Sequence, residues 1–293
     1  MFELLGVSPQ VLFGQLSLGV INGAFYALLS LGLAVIFGML NVINFAHGAQ
    51  YMMGAFVAWM SLTYLGLPFW GALVVVPIVV GASGLVIERL FLRRLYHVDH
   101  LYGLLLTFGL ALIIEGVFRH YYGVSGLRYD TPMPGGVNLG FMFLPWYRAF
   151  AAGLAIVVCL ATWFAIERTK LGAYLRAATE RPELVQAFGI NVPQMLSLTY
   201  AFGVALAGLA GVLAAPLYSL TPLMGAERII VVFAVVVIGG MGSILGSILT
   251  GFGLGLVEGL TKVFYPQASN VVVFVIMAVV LLVRPQGLFG TPK

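Results

Sequence analysis

The sequence predicts an all-α bundle of about eight membrane-crossing helices, some broken or re-entrant, and three observations predict it. Of 293 residues, 61% are hydrophobic and only 8% charged, against roughly 25% charged in a water-soluble domain. Several apolar stretches reach the ~18–20 residues that a helix needs to cross a bilayer. These runs are unbroken, as in VVFAVVVIGG and VVVFVIMAVVLLV, whereas the strands of a transmembrane barrel alternate polar and apolar over about ten residues. The chain, 1–293, reads as one transmembrane domain.

The first span, 11–37, follows MFELLGVSPQ, which lacks a basic cluster, so it reads as a retained helix and not a cleaved leader. Asn22 and Tyr26 stand one helical turn apart within it and share a face, open either to a cavity or to a neighbouring helix. Next comes GMLNVINFAHGAQYMMGAF, in which Asn41, Asn44, His47 and Gln50 lie among apolar residues without a Lys, an Arg or an acid. Polar side chains at bilayer depth face the bundle interior or water, and backbone leaves the helix there only where protein or water satisfies it. Two readings stay open: a broken helix offering these groups to a solute passage, as in carriers with interrupted helices, or plain caps at the membrane surface.

Spans 48–65, 69–88 and 102–120 follow; in the last, Glu115 and Arg119 are four apart in the favourable acid-first order, which predicts an ion pair near the membrane edge. The connection 121–147 carries Pro132, Pro134, Gly135-Gly136 and Pro145, suited to a short hairpin. Span 148–166 holds Cys159, the single cysteine, so no internal disulfide forms.

The connection 167–193 is too long for a tight turn. Pro182 suits a first helical turn, Glu183 to Phe188 form a short amphipathic helix, Gly189 ends it, and Asn191-Val192-Pro193 leads into the next span. Leu184, Val185 and Phe188 are expected to present an apolar face, either as a docking surface or lying in the lipid interface. Span 194–216 aligns Gly203, Ala207, Gly211 and Ala215 on one face, and span 243–263 aligns Gly251, Gly255 and Gly259. Such faces let helices approach closely in lipid. Between them, 229–240 is too short to cross alone and ends in a glycine break at 239–246, a second interruption in the later half. Glu227-Arg228 before it reads as an interfacial feature, and Glu258 with Lys262 as a second acid-first pair. Span 270–284 is the last.

The net charge of +4 bears on orientation and anionic lipid, not on nucleic acid. Nine of the 14 basic residues fall in 88–100, 167–191 and the C-terminal end; Arg119, Arg128, Arg148, Arg228 and Lys262 fall on the other side. The asymmetry puts the first set in the cytoplasm with the C-terminus, and the N-terminus and 121–147 outside. No HExxH, GxSxG, Walker A loop or Cys/His cluster is present. His47 has no second ligand at metal-binding spacing, so neither a metal nor a cofactor is expected and the chain has no evident means of using ATP itself. An enzyme reading has no acid–base or nucleophile constellation behind it.

The stretches NGAFYALLSLGLAVIFGMLNVINFAHGAQYMMGAF, VIERLFLRRL, LGAYLRAATERPELVQAFGIN, VVIGGMGSILGSILTGFGLG and RPQGLFG cover much of the chain in one order. In these it resembles the LivH-type permease of branched-chain amino acid ABC importers of the bacterial inner membrane. The resemblance implies a pathway subunit paired with a second, related permease, as a heterodimer or a homodimer. It implies two ATP-binding cassette subunits below and a periplasmic solute-binding protein above. Arg176, Glu183, Leu184, Val185, Phe188, Gly189 and Asn191 would then couple to the ATPase, with ATP bound by the partner and not by this chain. Asn22, Tyr26, Asn41, Asn44, His47 and Gln50 are expected along the solute path. The sequence departs from many relatives at Ala49, where they carry a carboxylate, and at GAERII, where some have a lysine. If those positions touch solute, an ammonium-bearing cargo loses a partner, which leaves room for an amide, urea, or a short-chain or aromatic carboxylate. The rival class, a stand-alone secondary carrier or channel, would need ion-coupling groups; Glu115 and Glu258 are the buried candidates, each with a basic neighbour.

Overall fold

The computed structural model describes residues 8–96 and 98–290. The first seven residues and Lys293, which enter the orientation argument above, lie outside them. Helix α1 (Pro9–Leu40) is followed by α2 (Ala46–Leu65), α3 (Phe69–Leu90), α4 (His100–Tyr122), α5 (Trp146–Arg168), α6 (Lys170–Glu180), α7 (Pro182–Ala187), α8 (Val192–Ala214), α9 (Met224–Gly239), α10 (Ile244–Phe264) and α11 (Val272–Val283). Six of these, α1, α3, α4, α5, α8 and α10, are long and apolar enough to cross a membrane. The predicted hairpin is present: β1 (Gly136–Asn138) pairs antiparallel with β2 (Phe143–Pro145), Gly136 opposite Pro145. Its loop turns at Gly140, whose N–H donates to Asn138 Oδ1 at 2.9 Å.

Helix α1 is 32 residues, about 48 Å at 1.5 Å per residue. It ends at Asn41, whose φ of 53° is left-handed, a conformation Asn tolerates better than other side-chain-bearing residues. The chain then turns back along its own helix. The His47 ring in the first turn of α2 lies beside Gly32, and its Nε2 is 3.0 Å from Leu29 O. Helix α2 therefore starts inside the bundle, roughly 15 Å back from the end of α1. The non-helical backbone between them is satisfied by α4: Thr107 Oγ1 donates to Ile43 O at 3.1 Å and receives the Phe45 N–H at 3.1 Å. Irregular backbone at this depth needs such partners.

Helix α9 mirrors this arrangement. The segment between α8 and α9 turns under the hairpin-side loop, where Leu220 and Leu127 exchange backbone hydrogen bonds. Gly225, in the first turn of α9, meets Gly48 of α2 backbone to backbone. Two short helices thus begin in the interior with their N-terminal turns in contact. The second deep interruption is accordingly 215–223, and the glycine break at 239–246 is a tight turn beside the end of α1, Gly242 packing on Gly38. The final stretch closes that turn. Leu288 N–H donates to Ile238 O at 2.8 Å and Phe289 N–H to Gly239 O at 3.1 Å, satisfying carbonyls that α9 leaves open.

The small-residue faces do what their spacing predicts. Gly19 and Gly23 of α1 lie on Gly251 and Gly255 of α10; Gly203 of α8 lies on Gly32, and Gly211 on Tyr51 and Ala55. With no water to expel, close backbone packing of this kind holds helices together in lipid. At the C-terminal end of α3, Glu88 is fully buried and accepts Tyr96 OH at 2.7 Å and Ser197 Oγ at 2.5 Å. Burial and the adjoining carboxylate push the Tyr96 phenol well above its ordinary range, so it stays a donor. Ser197→Ala removes one donor from a buried carboxylate, and we expect a loss of about 1–3 kcal/mol, read as a lower melting midpoint in detergent; Ser197→Thr retains the hydroxyl and most of the stability.

Candidate functional site

Two cavities lie on opposite sides of the bundle. The first, about 300 Å³, is bounded by α1, α2, α9 and α10. Asn22 and Tyr26 line it, the cavity being one of the two readings left open for their shared face, with Tyr51, Tyr218, Arg228 and Glu258. Tyr26 also hydrogen-bonds Glu258 of the neighbouring α10, which is the other reading, and Phe25, Leu29 and Val232 supply an apolar wall. Lys262 and Asn270 also line it. A neighbouring cavity of about 390 Å³ toward α11 shares Tyr26, Arg228, Glu258 and Asn270. The charged pair expected in α10 is formed: Lys262 Nζ is 2.5 Å from Glu258 Oε1, and Tyr26 OH donates to Glu258 Oε2 at 2.7 Å. Arg228 lies with its guanidinium carbon 4.9 Å from the Tyr218 ring centroid, within cation–π range.

Arg228 corrects the sequence reading. It does open a helix, but the Gly225–Gly48 contact sets that helix start within the bundle, so the side chain lines the cavity, while Glu227 beside it is exposed. The other expected ion pair is not formed: no carboxylate–cation contact joins Glu115 and Arg119, and Glu115 Oε1 is buried without a partner among the described residues. No group of three or more His, Cys, Asp or Glu residues is arranged to hold a metal among the described residues.

The second cavity, about 340 Å³, lies beside the 167–193 connection, lined by Asn41, Arg93, Tyr96, Thr179, Gln186 and neighbours. Thr179 Oγ1 of α6 donates to Met39 O at 3.0 Å, tying the 167–193 connection to the end of α1. Between Asn41 in this cavity and Tyr51 in the other, the chain carries the remaining polar residues of the 38–56 stretch. Asn44, His47 and Gln50 line neither cavity; all three are fully buried. Asn44 Nδ2 donates to Gln50 Oε1 at 3.1 Å, and Gln50 Nε2 lies 3.5 Å from Tyr200 OH of α8. Asn44 Oδ1 and His47 Nδ1 have no partner among the described residues. In this conformation, then, the three residues expected on a hydrated route form a fully buried layer between two cavities.

The 167–193 connection forms the expected short helix, α7, with Pro182 at its first turn; Gly189 follows it at φ +81°, and the Asn191 side chain accepts the Gln194 N–H at 3.1 Å at the start of α8. Helix α6 precedes it, an element that the residue pattern did not single out. Phe188 is 86% exposed and Leu184 52%, but Val185 is only 7% exposed. Val185 packs with Ala178 and Val192 and only edges the groove, so most of the exposed apolar area of α7 and its end comes from Leu184 and Phe188. These two line a surface groove of about 720 Å³ with Tyr174, Ala177 and Ile190. Glu183 is exposed in the first turn of α7, and Arg176 folds back onto α5, Nη1 donating to Ile166 O at 3.1 Å and lying 3.6 Å from Glu167 Oε2.

Residues 15–283 match the family described as branched-chain amino acid transport system / permease component. The chain is 31% identical to the high-affinity branched-chain amino acid transport system permease protein BraD of Pseudomonas aeruginosa, over 95% of this chain and 96% of that one. It is 29% identical to the permease protein LivH of the same kind of system in Escherichia coli K12, over 98% and 99%, and 28% identical to its permease protein LivM, over 90% of this chain and 67% of that one. No solved structure matches. A polytopic helical chain matched from end to end in this way belongs to the family of branched-chain amino acid transport permease components.

Proposed function

We propose that the chain is the permease subunit of an ATP-driven importer that carries branched-chain or other hydrophobic amino acids across the cytoplasmic membrane by alternating access. The observation that supports this reading is two separate cavities with a fully buried polar layer between them. A transporter that never opens both ways at once needs such a barrier, and the barrier must have two arrangements. Asn44, His47, Gln50 and Tyr200 are its members, and Asn22 and Tyr26 meet the solute on the hairpin side. Neutral amides suit a barrier that must release what passes. In this reading the hairpin face is periplasmic and receives a solute-binding protein, while α6, α7, Arg93 and Arg284 face the cytoplasm.

The similarity to both LivH and LivM supports pairing with a second permease, related but distinct. ATP is bound by two ATP-binding cassette subunits, the α6–α7 handle resting on one of them. Glu258, held by Lys262 and Tyr26, is not poised to couple an ion gradient. Proteoliposomes test the assignment. Labelled leucine should accumulate only when this chain, a partner permease, the ATPases, the binding protein and internal ATP are all present. Accumulation by this chain alone under a proton or sodium gradient would make it a secondary carrier instead.

A further inference from the structure

We infer that the hairpin-side cavity holds its solute by a carboxylate, that Arg228 is the cation receiving it, and that the cavity does not recognise an ammonium group. This rests on the reading that the cavity lies on the transport path. Three full charges line it: Arg228, Lys262 and Glu258. Glu258 is already engaged at both oxygens, Oε1 by the Lys262 ammonium at 2.5 Å and Oε2 by the Tyr26 hydroxyl at 2.7 Å. A solute ammonium would have to displace a cation four residues away on the same helix. Arg228 has no carboxylate within 4 Å among the described residues. Glu227, its sequence neighbour, is exposed and lines the adjoining cavity only. The phenols Tyr26, Tyr51 and Tyr218 complete the titratable set facing the cavity.

The geometry at Arg228 favours an anion. Its guanidinium lies over the Tyr218 ring, so one face is covered by a π-system while the in-plane N–H donors remain available for a fork onto two carboxylate oxygens. A cation at this depth is costly without a counter-charge. Glu258 faces Arg228 across the cavity but bonds Lys262 and Tyr26, and with two cations to one carboxylate the lining carries a net positive charge that draws an anion in. Phe25, Leu29, Ala210 and Val232 then face the remainder of the solute, which fits an aliphatic or aromatic body. The solute class for this cavity is therefore a small apolar monocarboxylate, with or without an amino group. Selection for the amino group falls to another component of the importer.

Three probes of one shape separate the possibilities: leucine, 4-methylpentanoate, which lacks the amino group, and 3-methylbutylamine, which lacks the carboxylate. Their binding to the purified permease assembly, without solute-binding protein, is measured by titration calorimetry. We expect leucine and 4-methylpentanoate to bind within about threefold of one another and the amine at least about thirtyfold more weakly. Arg228→Gln should weaken both acids by at least about thirtyfold, and Arg228→Lys, which keeps the charge but loses the fork, by about tenfold. The Lys variant keeps the test open should the Gln variant fail to assemble. Amine binding equal to leucine, leucine tighter than 4-methylpentanoate by tenfold or more, or acids indifferent to both substitutions would overturn the inference. So would an assembly that binds none of the three while the complete importer still takes up leucine, because the cavity would then not be the solute site. Loss of ATP-driven uptake by the complete wild-type importer would instead count against the transport reading itself.

Discussion

Replacing Gly48 or Gly225 by alanine should lower the melting midpoint of the purified protein sharply, and replacement by valine should prevent its recovery as a monodisperse species. A Cβ on Gly48 would stand 2.5 Å from Gly225 O, and one on Gly225 would stand 2.2 Å from Gly48 O. Both obstacles are backbone, so no rotamer change relieves them and the two helix starts must move apart. Overfilling a packed interior costs about 1–3 kcal/mol where side chains can shift; here helices must shift, and the cost for alanine should lie at or above the upper end. Moving α2 also disturbs His47 and Gln50, which bond Leu29 of α1 and Tyr200 of α8, and through Gln50 it disturbs Asn44. Gly153 of α5 is the control. A Cβ there meets nothing within 4 Å, and Gly→Ala in a helix interior gains up to about 1 kcal/mol from propensity alone. Gly153→Ala should therefore melt at or above the wild type. Gly225→Ala melting with the wild type would mean that the two N-terminal turns do not touch.

What the sequence made legible follows from how the bilayer constrains it. Crossing requires long unbroken apolar runs, so the long helices announce themselves. Turn chemistry exposed the hairpin through Pro132 to Pro145, and α7 through Pro182 and Gly189. The glycine faces at 203–215 and 251–259 were legible because helical spacing puts them on one side.

The candidate site was harder to read. Asn22 and Tyr26 are one turn apart, and both do reach the cavity. Arg228 looked interfacial because a charged pair before an apolar run usually sits at the membrane edge. Its depth depends on the Gly48–Gly225 contact, between residues 177 positions apart, which no local pattern encodes. The available signal was the shortness of the α9 run, combined with a glycine and a charge at its start. For Asn44, His47 and Gln50 polarity was visible but destination was not; Tyr200 and Leu29, from distant parts of the chain, decide that they are sealed. Val185 reads from the sequence like Leu184 and Phe188, yet it is mostly packed inward; α7 has only six residues. One and a half turns do not define which apolar residue faces inward.

Phe188→Asp should abolish uptake by the assembled importer while leaving the permease folded. Phe188 is 86% exposed and follows the end of α7, so the fold gains little from its ring. A large apolar side chain held out on a short, capped element, beside Leu184 and a groove, suits a pocket on a separate subunit. Burying such a side chain contributes about 1.5–3 kcal/mol, and an unpaired carboxylate in its place adds a desolvation penalty of several kcal/mol. The combined effect exceeds the ~2.7 kcal/mol that corresponds to a hundredfold loss of binding. The ATPase subunits should therefore fail to co-purify with the variant, and ATP-driven uptake should fall by at least two orders of magnitude. Leu184→Asp should act in the same direction, with a smaller loss because Leu184 is less exposed and the leucine is the smaller side chain. Phe188→Leu should keep most of the activity. Val185→Asp separates docking from folding: Val185 is packed on Ala178 and Val192, so this variant should lose the α6–α7 structure itself and melt earlier. Phe188→Asp should melt with the wild type. Full uptake by a correctly folded Phe188→Asp importer would show that force enters the membrane helices elsewhere, since no interface that buries this ring tolerates a carboxylate in its place.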